Sequence, residues 1–510
     1  MLQEIAIEKE IKKLYPYQQR DINRVLDTIT KHSPGYRLLY QLPTGGGKTV
    51  VFSEITRQFI ERYNTKVIVL THRSELSKQT SNTLKKAGVP NKIIDSNLKR
   101  LATKNQFGCY VAMVETLKNR IKENKISTSD IGLVIIDEAH HNSFRKLLEN
   151  FKNAFVIGVT ATPFSSDISL PMYKNYDELL VSDNIISLID QGFLAKPKTI
   201  TKKVELNSLQ TGIHGDYTVS SSNTLYSSPA MLELLKETYE ANSKGKKTLI
   251  FNNGIDTSKK VKDFFEESGY SVKHLDNKNS SVERKEILQW FKKTKGAILT
   301  SVSILTTGFD EPSVQTVILN RATTSLTLYH QMIGRGSRKL PNKKTFSIID
   351  LGNNTERFGE WENPIDWKYV FEKPEEFAQQ LNYGSNGESS QTHAISLDLR
   401  NKFPNTLELS FDIEAKFKEV LENDEKPKTV IQQSIRQHAF MCIENAETIS
   451  EALNLAENLD SEIDWRVKEY VKCIEKSTKS YRDWLTEDYK SRLNILIQKT
   501  FAKVKTVAIA

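Results

Sequence analysis

The chain is poor in cysteine. It has three cysteines in 510 residues, Cys109, Cys442 and Cys473, and no two of them form a C-x-x-C pair. Such scattered cysteines exclude a disulfide framework and a zinc module built on cysteine pairs. They are typical of a reducing compartment. We therefore expect a cytoplasmic protein that binds no zinc.

Long apolar segments are also missing. No apolar run approaches the ~18–20 residues that are needed to cross a bilayer. The first residues, MLQEIAIEKEIKK, mix acids and lysines where a secretory signal would need an apolar stretch. There is no convincing internal repeat and no long low-complexity tract. The sequence thus predicts a protein without a membrane segment or repeat architecture.

What is present is typical of a globular protein with several domains. Apolar residues make up 38% of the chain and charged residues 26%, and 510 residues exceed what one hydrophobic core organises. Residues 1–360 have 52 lysines and arginines against 37 acids, a net charge of +15, whereas residues 361–510 have a net charge of −6. The basic part indicates a polyanionic partner, although a generic basic surface explains the charge equally well.

Short β-branched runs alternate with helical patterns in two successive blocks, and this predicts two α/β units in tandem, each with a mostly parallel sheet. The predicted strands of the first block are RLLYQL (37–42), KVIVLT (66–71), GCYVAMV (108–114), LVIID (133–137) and AFVIGVT (154–160). Those of the second block are TLIFNN (248–253), YSVKHL (270–275), AILTSV (297–302), TVILN (316–320) and FSIIDL (346–351).

The same patterns predict the boundaries between domains. NYGSNGESSQTH (382–393) is typical of a flexible linker, and the patterns beyond it are mostly helical. The expected parts are a first α/β domain at 1–195, a connecting segment at 196–228, a second α/β domain at 229–360, an extension with the flexible linker at 361–393, and a mainly helical accessory domain at 394–510.

PTGGGKT (43–49) lies between a predicted strand and a predicted helix, where a phosphate-binding loop belongs. Its glycines would let backbone N–H groups point at phosphate oxygens beside a helix N-terminus. Lys48 would reach the β- and γ-phosphates, and Thr49 would ligate Mg²⁺. The strict motif has a glycine where this chain has Leu42, and a Gly-rich turn followed by a chance Lys-Thr pair is the plain alternative.

LVIIDEAHH places Asp137 and Glu138 at the carboxyl end of an apolar strand. A carboxylate there can hold a magnesium ion while its neighbour polarises the attacking water. An ordinary acidic strand end is the alternative interpretation.

PTGGGKT and DEAH (137–140) together resemble the nucleotide-binding motifs of superfamily 2 helicases and translocases, which replace the first glycine of the strict loop. The stretches that match this family in order are YPYQQ (15–19), VLTHRSELSKQ (69–79), VAMVETL (111–117), VTATP (159–163), TTGFDEP (306–312) and QMIGRGSR (331–338). The resemblance implies an α/β fold with two tandem RecA-like P-loop NTPase domains, parallel sheets and a mainly helical C-terminal region. It covers roughly residues 10–360.

The resemblance also implies roles for single residues. The implied catalytic residues are Glu138, Gln331, Arg335 and Arg338, the last three on one face of a helix. The implied ATP-binding residues are Gln18, Thr44, Gly45, Gly46, Gly47, Lys48, Thr49, Gly308 and Asp310. Mg²⁺ would be held by Thr49 and Asp137. The residues that would couple the ATP site to movement are His140, Thr160 and Thr162. The implied nucleic-acid contacts are His72, Arg73, Thr116, Thr306 and Thr307, and His72 is equally well interpreted as a surface histidine.

The expected activity is ATP-driven unwinding of, or movement on, single-stranded or branched DNA, in repair or phage defence. The segment 348–367 is similar to RadD-like repair helicases, but the chain lacks the cysteine-rich zinc module of that group. Three alternatives remain: an RNA helicase, a translocase that moves on duplex without unwinding it, and the motor subunit of a restriction or defence complex. In the last case the acidic, helical C-terminal region would bind a protein partner.

Overall fold

The structure is a computed structural model. It describes residues 14–509 except for 96–97, 99–100, 102–106, 166, 213–214, 303, 306–308, 384–398, 400–401, 407–408, 410, 423–424 and 475–478. Within these residues, none of the helices is both long and apolar enough to span a membrane. The chain forms two compact units, Met1–Gln210 with Tyr217–Gly387, and Thr211–Asp216 with Glu388–Ala510.

The first sheet of the larger unit has seven strands, all parallel, in the order β3-β4-β2-β5-β6-β1-β7. Its strands are β1 (Arg37–Gln41), β2 (Lys66–Thr71), β3 (Asn91–Ile94), β4 (Cys109–Met113), β5 (Ile131–Asp137), β6 (Phe155–Thr160) and β7 (Glu178–Val181). Its helices are α1 (Pro16–Thr30), α2 (Lys48–Tyr63), α3 (Ser74–Lys86), α4 (Val114–Lys122), α5 (Arg145–Leu148) and α6 (Ile185–Asp190). The predicted parallel sheet is confirmed. Strands of such a sheet are continuously apolar because helices cover both of its faces.

The second sheet has six parallel strands in the order β10-β11-β9-β12-β13-β8. Its strands are β8 (Lys196–Thr201), β9 (Thr248–Asn252), β10 (Val272–Leu275), β11 (Ile298–Ser301), β12 (Thr316–Asn320) and β13 (Thr345–Asp350). Its helices are α7 (Val219–Tyr226), α8 (Pro229–Ser243), α9 (Ile255–Glu267), α10 (Ser281–Lys293), α11 (Leu326–Ile333) and α12 (Asn354–Phe358).

The segment 196–228, predicted as a connection, begins with a strand of the second sheet. Strand β8 pairs in parallel with β13 from Lys196 opposite Thr345 to Thr201 opposite Asp350. An edge strand is bonded on one side only and can therefore contain Pro197 and polar residues. For that reason KPKTIT lacks the apolar run that the other strands have, and the start of the second domain was placed too late.

Two further helices, α13 (Trp367–Glu372) and α14 (Pro374–Tyr383), follow the second sheet and pack on the larger unit. The Trp367 ring lies 6.2 Å from that of His330 on α11. The Phe377 ring lies 5.5 Å from that of Phe164, directly after the VTATP stretch of the first domain. The extension therefore contacts both α/β domains. Residues 384–393 of the predicted flexible linker lie outside the described residues, so that flexibility stays a prediction.

The smaller unit is helical and has its own apolar core. Its helices are α15 (Ile413–Glu422), α16 (Lys428–Glu444), α17 (Ile449–Glu457), α18 (Asp460–Cys473) and α19 (Lys479–Ile509). Its core includes Val430, Cys442, Ile463 and Leu493, all nearly or fully buried.

A buried arginine lies within this helical core. Arg466 on α18 is fully buried, and its guanidinium donates to Glu462 Oε1 at 2.8 Å. It also donates to Ser434 Oγ at 3.0 Å and to the carbonyl of Leu409 at 2.8 Å. Tyr489 Oη lies 2.8 Å from Ser434 Oγ. The network joins α16, α18 and α19 through the buried Arg466 guanidinium.

We expect Arg466→Ala to destabilise the helical unit by about 3–5 kcal/mol, because it leaves the Glu462 carboxylate buried without its cation. Hydrogen exchange of the α16 and α18 amides in the full chain measures this loss locally. Arg492→Ala is the matched control, since Arg492 is half exposed and pairs with Asp488 at 2.8 Å on the surface. That control is expected to cost less than about 1 kcal/mol. Equal losses in the two variants would contradict the assignment.

Candidate active site

The stretch 43–49 forms a glycine-shaped loop between β1 and α2. Gly45 and Gly47 have φ of 91° and 86°, in the left-handed region that favours glycine. A Cβ on Gly46 would lie 2.9 Å from the side chain of Leu42, which is fully buried. Leu42, the residue that departs from the strict motif, thus packs beneath the loop. The loop leads into the N-terminus of α2, where unpaired N–H groups attract anions.

Helix α1 holds the loop from the side. Tyr17 Oη donates to the carbonyl of Gly46 at 2.6 Å, and Gln18 Nε2 donates to the same oxygen at 3.0 Å. Gln18 Oε1 accepts from the backbone N–H of Tyr15 at 3.0 Å. Gln18, predicted to contact the adenine base, is therefore placed against the phosphate-binding loop, and contact with a base stays a prediction.

An aromatic cluster lies beside the same loop. The Phe193 ring is 4.5 Å from the Tyr15 ring and 4.9 Å from the Tyr17 ring. Tyr15 is 45% exposed, whereas Tyr17 is buried, so the cluster reaches solvent through the Tyr15 ring. Sequence reasoning missed Phe193, because it stands in the short turn after α6 without a motif around it.

Asp137 is the last residue of β5 and Glu138 follows it, as predicted, and both carboxylates are buried. Glu138 has a φ of 54°, a conformation that costs a non-glycine residue of order 1–3 kcal/mol. Its Oε2 is buried and has no hydrogen-bond partner among the described residues. His140 Nδ1 lies 3.4 Å from this oxygen and is hydrogen-bonded to Thr160. An acceptor held in a strained backbone, with a free lone pair, fits a site that positions water.

The charges of the loop and of the strand end act on one another. Burial, and then the charge of Glu138, raise the pKa of Asp137 to about 7. Burial alone would also raise the pKa of Glu138, but the Lys48 ammonium and other nearby cations hold it below its usual value. Burial lowers the pKa of Lys48, although the charges of Glu138 and Asp137 act to raise it. Two crowded carboxylates beside a lysine and a glycine loop are a donor set that fits Mg²⁺ and a triphosphate.

A chain of hydrogen bonds leads from the DEAH stretch to the second domain. His140 Nδ1 and Thr160 Oγ1 are 3.0 Å apart, and Thr160 Oγ1 donates to the carbonyl of Thr162 at 3.1 Å. Thr162 Oγ1 then donates to Thr327 Oγ1 on α11 at 2.9 Å. The three residues predicted to couple the ATP site to movement are therefore brought together, and Thr327 is a fourth member that the sequence did not indicate.

The arginines of the second domain differ from the expectation of one helical face. Helix α11 ends at Ile333, so Gln331 is helical and buried, whereas Arg335 lies in the following turn and Arg338 forms an isolated bridge with Leu194. The glycines on both sides of Arg335 have low helix propensity, which favours this ending. Arg335 donates to the carbonyl of Phe309 at 2.6 Å. Arg338 forms an ion pair with Asp310, which was predicted to face the nucleotide.

The two domains approach each other closely at the loop. A Cβ on Gly334 would lie 2.2 Å from Thr44 Cγ2, and one on Gly45 would lie 2.7 Å from Ser337 Oγ. The positive charge of Arg335 acts on both Glu138 and Lys48 across this boundary. Burial lowers the pKa of Arg335 to about 10, which leaves it charged at neutral pH. A cation of the second domain thus lies within electrostatic range of Glu138 and Lys48 in the first.

The nucleic-acid candidates fall into two groups. Thr71 at the end of β2 pairs with Met113 at the end of β4, so the partly exposed Arg73 and Thr116 follow neighbouring strand ends. His72 is different, because its ring lies 4.4 Å from that of His141 at an interplanar angle of 52° and both its nitrogens are buried. Burial lowers the pKa of His72 to about 4. Because of its contact with His141, His72 lies against the DEAH stretch. Thr306, Thr307 and Gly308 lie outside the described residues.

Comparison with known proteins agrees with this geometry. Residues 11–165 match the family "Type III restriction enzyme, res subunit", and residues 230–339 match "Helicase conserved C-terminal domain". IRC3 of Saccharomyces cerevisiae, named as an ATP-dependent helicase, is 31% identical over 69% of this chain and 53% of its own length. A 51.5 kDa protein of a Lactococcus phage is 30% identical over 66% of this chain and 70% of its own.

A solved fragment of an HsdR subunit of a type I restriction enzyme from Vibrio vulnificus shares the fold, with a TM-score of 0.54 and 24% identity. The comparison covers 68% of this chain and 65% of that fragment. This chain spans about half the length of the yeast relative. The two matched domains, in this order and with these sites, confirm the predicted superfamily. The chain belongs to the superfamily 2 helicases of the restriction-enzyme (Res) type.

Proposed function

We propose that the protein hydrolyses ATP between its two α/β domains and uses the energy to move on or remodel DNA. The observation that carries this proposal is the close approach of the two domains at the loop, where Gly334 lies against Thr44 and the charge of Arg335 acts on Glu138 and Lys48. Transfer of a phosphoryl group is accelerated mainly by positioning and by cations that meet the developing charge. A pocket made from both domains supplies both the positioning and the cations, and it can exist only while the two domains are in contact.

Each described residue of the pocket has a role in this mechanism. The loop and Lys48 bind the β- and γ-phosphates, and Thr49 with Asp137 would hold Mg²⁺, which neutralises phosphate charge when bound. Glu138, with its unpaired Oε2 and lowered pKa, orients a water molecule and accepts its proton. Arg335 stabilises the charge that develops on the γ-phosphate.

The hydrogen-bond chain from His140 to Thr327 supports the coupling of hydrolysis to domain movement. A change at Glu138 alters the position of His140, and the bond of Thr162 to Thr327 transmits the shift to α11. Helix α11 also contains Gln331. Domain opening and closing would then move the strand-end segments that include Arg73 and Thr116 along a polynucleotide backbone.

DNA is the partner that the observations favour. The net charge of +15 over residues 1–360 suits a phosphate backbone, which gives salt-dependent binding with little sequence preference. The restriction-enzyme names of the relatives favour DNA over RNA, and they support a role in repair or phage defence. A second candidate is a motor subunit that moves on duplex without unwinding it. The net charge of −6 beyond residue 360 supports a protein-binding role for the C-terminal unit in such a complex.

ATP turnover measured with single-stranded, duplex and forked DNA and with the matching RNAs tests the partner. We expect DNA to stimulate turnover more than RNA does. Strand displacement measured beside triplex displacement then separates unwinding from movement on duplex. Stimulation by RNA alone would replace the DNA proposal with the RNA alternative.

Glu138→Gln is expected to lower nucleic-acid-stimulated hydrolysis by at least about 100-fold, because the amide cannot accept a proton from water. Binding of a fluorescent ATP analogue should persist, since Lys48 and the loop are intact. Glu61→Gln serves as the control, because Glu61 is exposed on α2 and pairs with Arg57 at the surface. Wild-type turnover in Glu138→Gln would remove Glu138 as the base.

Gly334→Ala tests the domain boundary. Gly334 has φ of −57°, which alanine adopts freely, so its effect is steric: the new Cβ would meet Thr44. We expect kcat to fall about 10- to 100-fold, because a displacement of about 1 Å in a catalytic group has such an effect. Gly88→Ala strains a backbone with φ of 79° and adds a methyl group where no atom lies within 4 Å, so it controls for general destabilisation away from the domain boundary. Equal kcat values for both variants would show that close approach at Gly334 is not needed.

A further inference from the structure

Lys343 is a buried lysine outside every motif of the second domain. It is 5% exposed and closes a tight turn before β13, in which Leu340 N–H donates to the Lys343 carbonyl at 3.1 Å and Lys343 N–H to the Leu340 carbonyl at 3.0 Å. Lysine is almost never fully buried unless its charge is met by partners. The partners of this ammonium therefore indicate its role.

The Lys343 ammonium joins two loops that are distant in the chain. Nζ donates to the carbonyl of Gly336 at 2.6 Å and to that of Pro312 at 2.9 Å. Gly336 directly follows Arg335, and Pro312 comes shortly after Phe309, whose carbonyl accepts from Arg335 at 2.6 Å. Lys343 and Arg335 therefore bridge the same two segments, residues 309–312 and 335–338.

The surroundings of Gly336 make this bridge rigid. A Cβ on Gly336 would lie 2.5 Å from the Phe346 ring, so the backbone rests directly on that ring. The Lys343 ammonium lies 6.0 Å from the centre of the same ring. The position of the arginine-bearing turn is thus determined by a ring below it and a buried cation beside it.

We propose that Lys343 is a positioning residue for catalysis, which holds the backbone of the 335–338 turn so that Arg335 reaches the phosphate site of the first domain. This inference rests on the proposed ATP hydrolysis. Lys343 itself touches neither Glu138 nor Lys48 in the described contacts, so it acts through the arginine. Burial, with the charge of Arg338, lowers the pKa of Lys343 to about 7, as expected for an amine kept out of water to bind carbonyls.

The test compares Lys343→Met with Lys247→Met in the full chain. Lys247 is a matched control, because it is also buried in the second domain, donates to a backbone carbonyl, that of Lys292 at 2.8 Å, and lies over a phenylalanine ring. It contacts no residue of the arginine turn in the described contacts. We expect Lys343→Met to lower the kcat of nucleic-acid-stimulated ATP hydrolysis about 10- to 100-fold while KM for ATP is unchanged. Lys247→Met should keep the wild-type kcat.

A double-mutant cycle distinguishes positioning from general support of the fold. In single-turnover hydrolysis, Lys343→Met should add no loss in an Arg335→Gln background, because the group that it positions is already absent. Lys343→Arg, which keeps a cation and its donors, should recover part of the rate. It replaces the methionine variant in the test if that variant does not fold.

Several results would overturn the inference. They are a wild-type kcat for Lys343→Met, losses of equal size in Lys247→Met, and a full additional loss in the Arg335→Gln background. A wild-type protein that shows no nucleic-acid-stimulated hydrolysis would instead refute the proposed function, so the two failures are distinguishable.

Discussion

The attraction between a guanidinium of the second domain and the carboxylate of Glu138 in the first is the interaction on which the whole site depends. In a desolvated pocket such a charge acts far more strongly than it does in water, and it is present only while the two domains touch. The charge of Arg335 also acts on Lys48, a like charge. In the proposed mechanism a triphosphate bound between the domains would meet both cations, so that nucleotide binding and domain closure would support each other.

Close approach of the backbones makes this interaction possible, and glycine allows it on both sides. Gly45 faces Ser337 and Gly334 faces Thr44 at distances that no β-carbon permits. The hydrogen bond between Thr162 and Thr327 then joins the same two domains through side chains. Steric fit and hydrogen bonding thus meet at one boundary, and the proposed transmission of movement from the carboxylates to α11 rests on these contacts.

The C-terminal unit differs in having a buried ion pair in its core. Its core buries the Arg466 ion pair with Glu462 inside a hydrogen-bond network of Ser434 and Tyr489. Buried charges of this kind add little net stability compared with apolar packing, and their removal one at a time is costly. The network therefore joins α16, α18 and α19 within this core.

The sequence by itself determined the elements whose signals are local. Apolar strands alternating with helical patterns indicated both parallel sheets. In the first sheet, Gly-Lys-Thr and Asp-Glu after such strands indicated the position of Lys48, Asp137 and Glu138, because a strand end and its loop are adjacent in the chain. It also indicated the superfamily. Strand β8 was missed, since an edge strand needs no apolar run, and glycines ended α11 before Arg335 and Arg338.

Only the tertiary structure decided which groups meet across the chain. His72 packs against His141, Phe193 packs against Tyr15 and Tyr17, and Lys343 binds the carbonyls of Gly336 and Pro312. Each of these contacts joins segments that no local pattern connects, and each depends on how sheets and loops pack. A lysine in a polar turn resembles any surface lysine in sequence, because burial is a property of its surroundings and not of the residue.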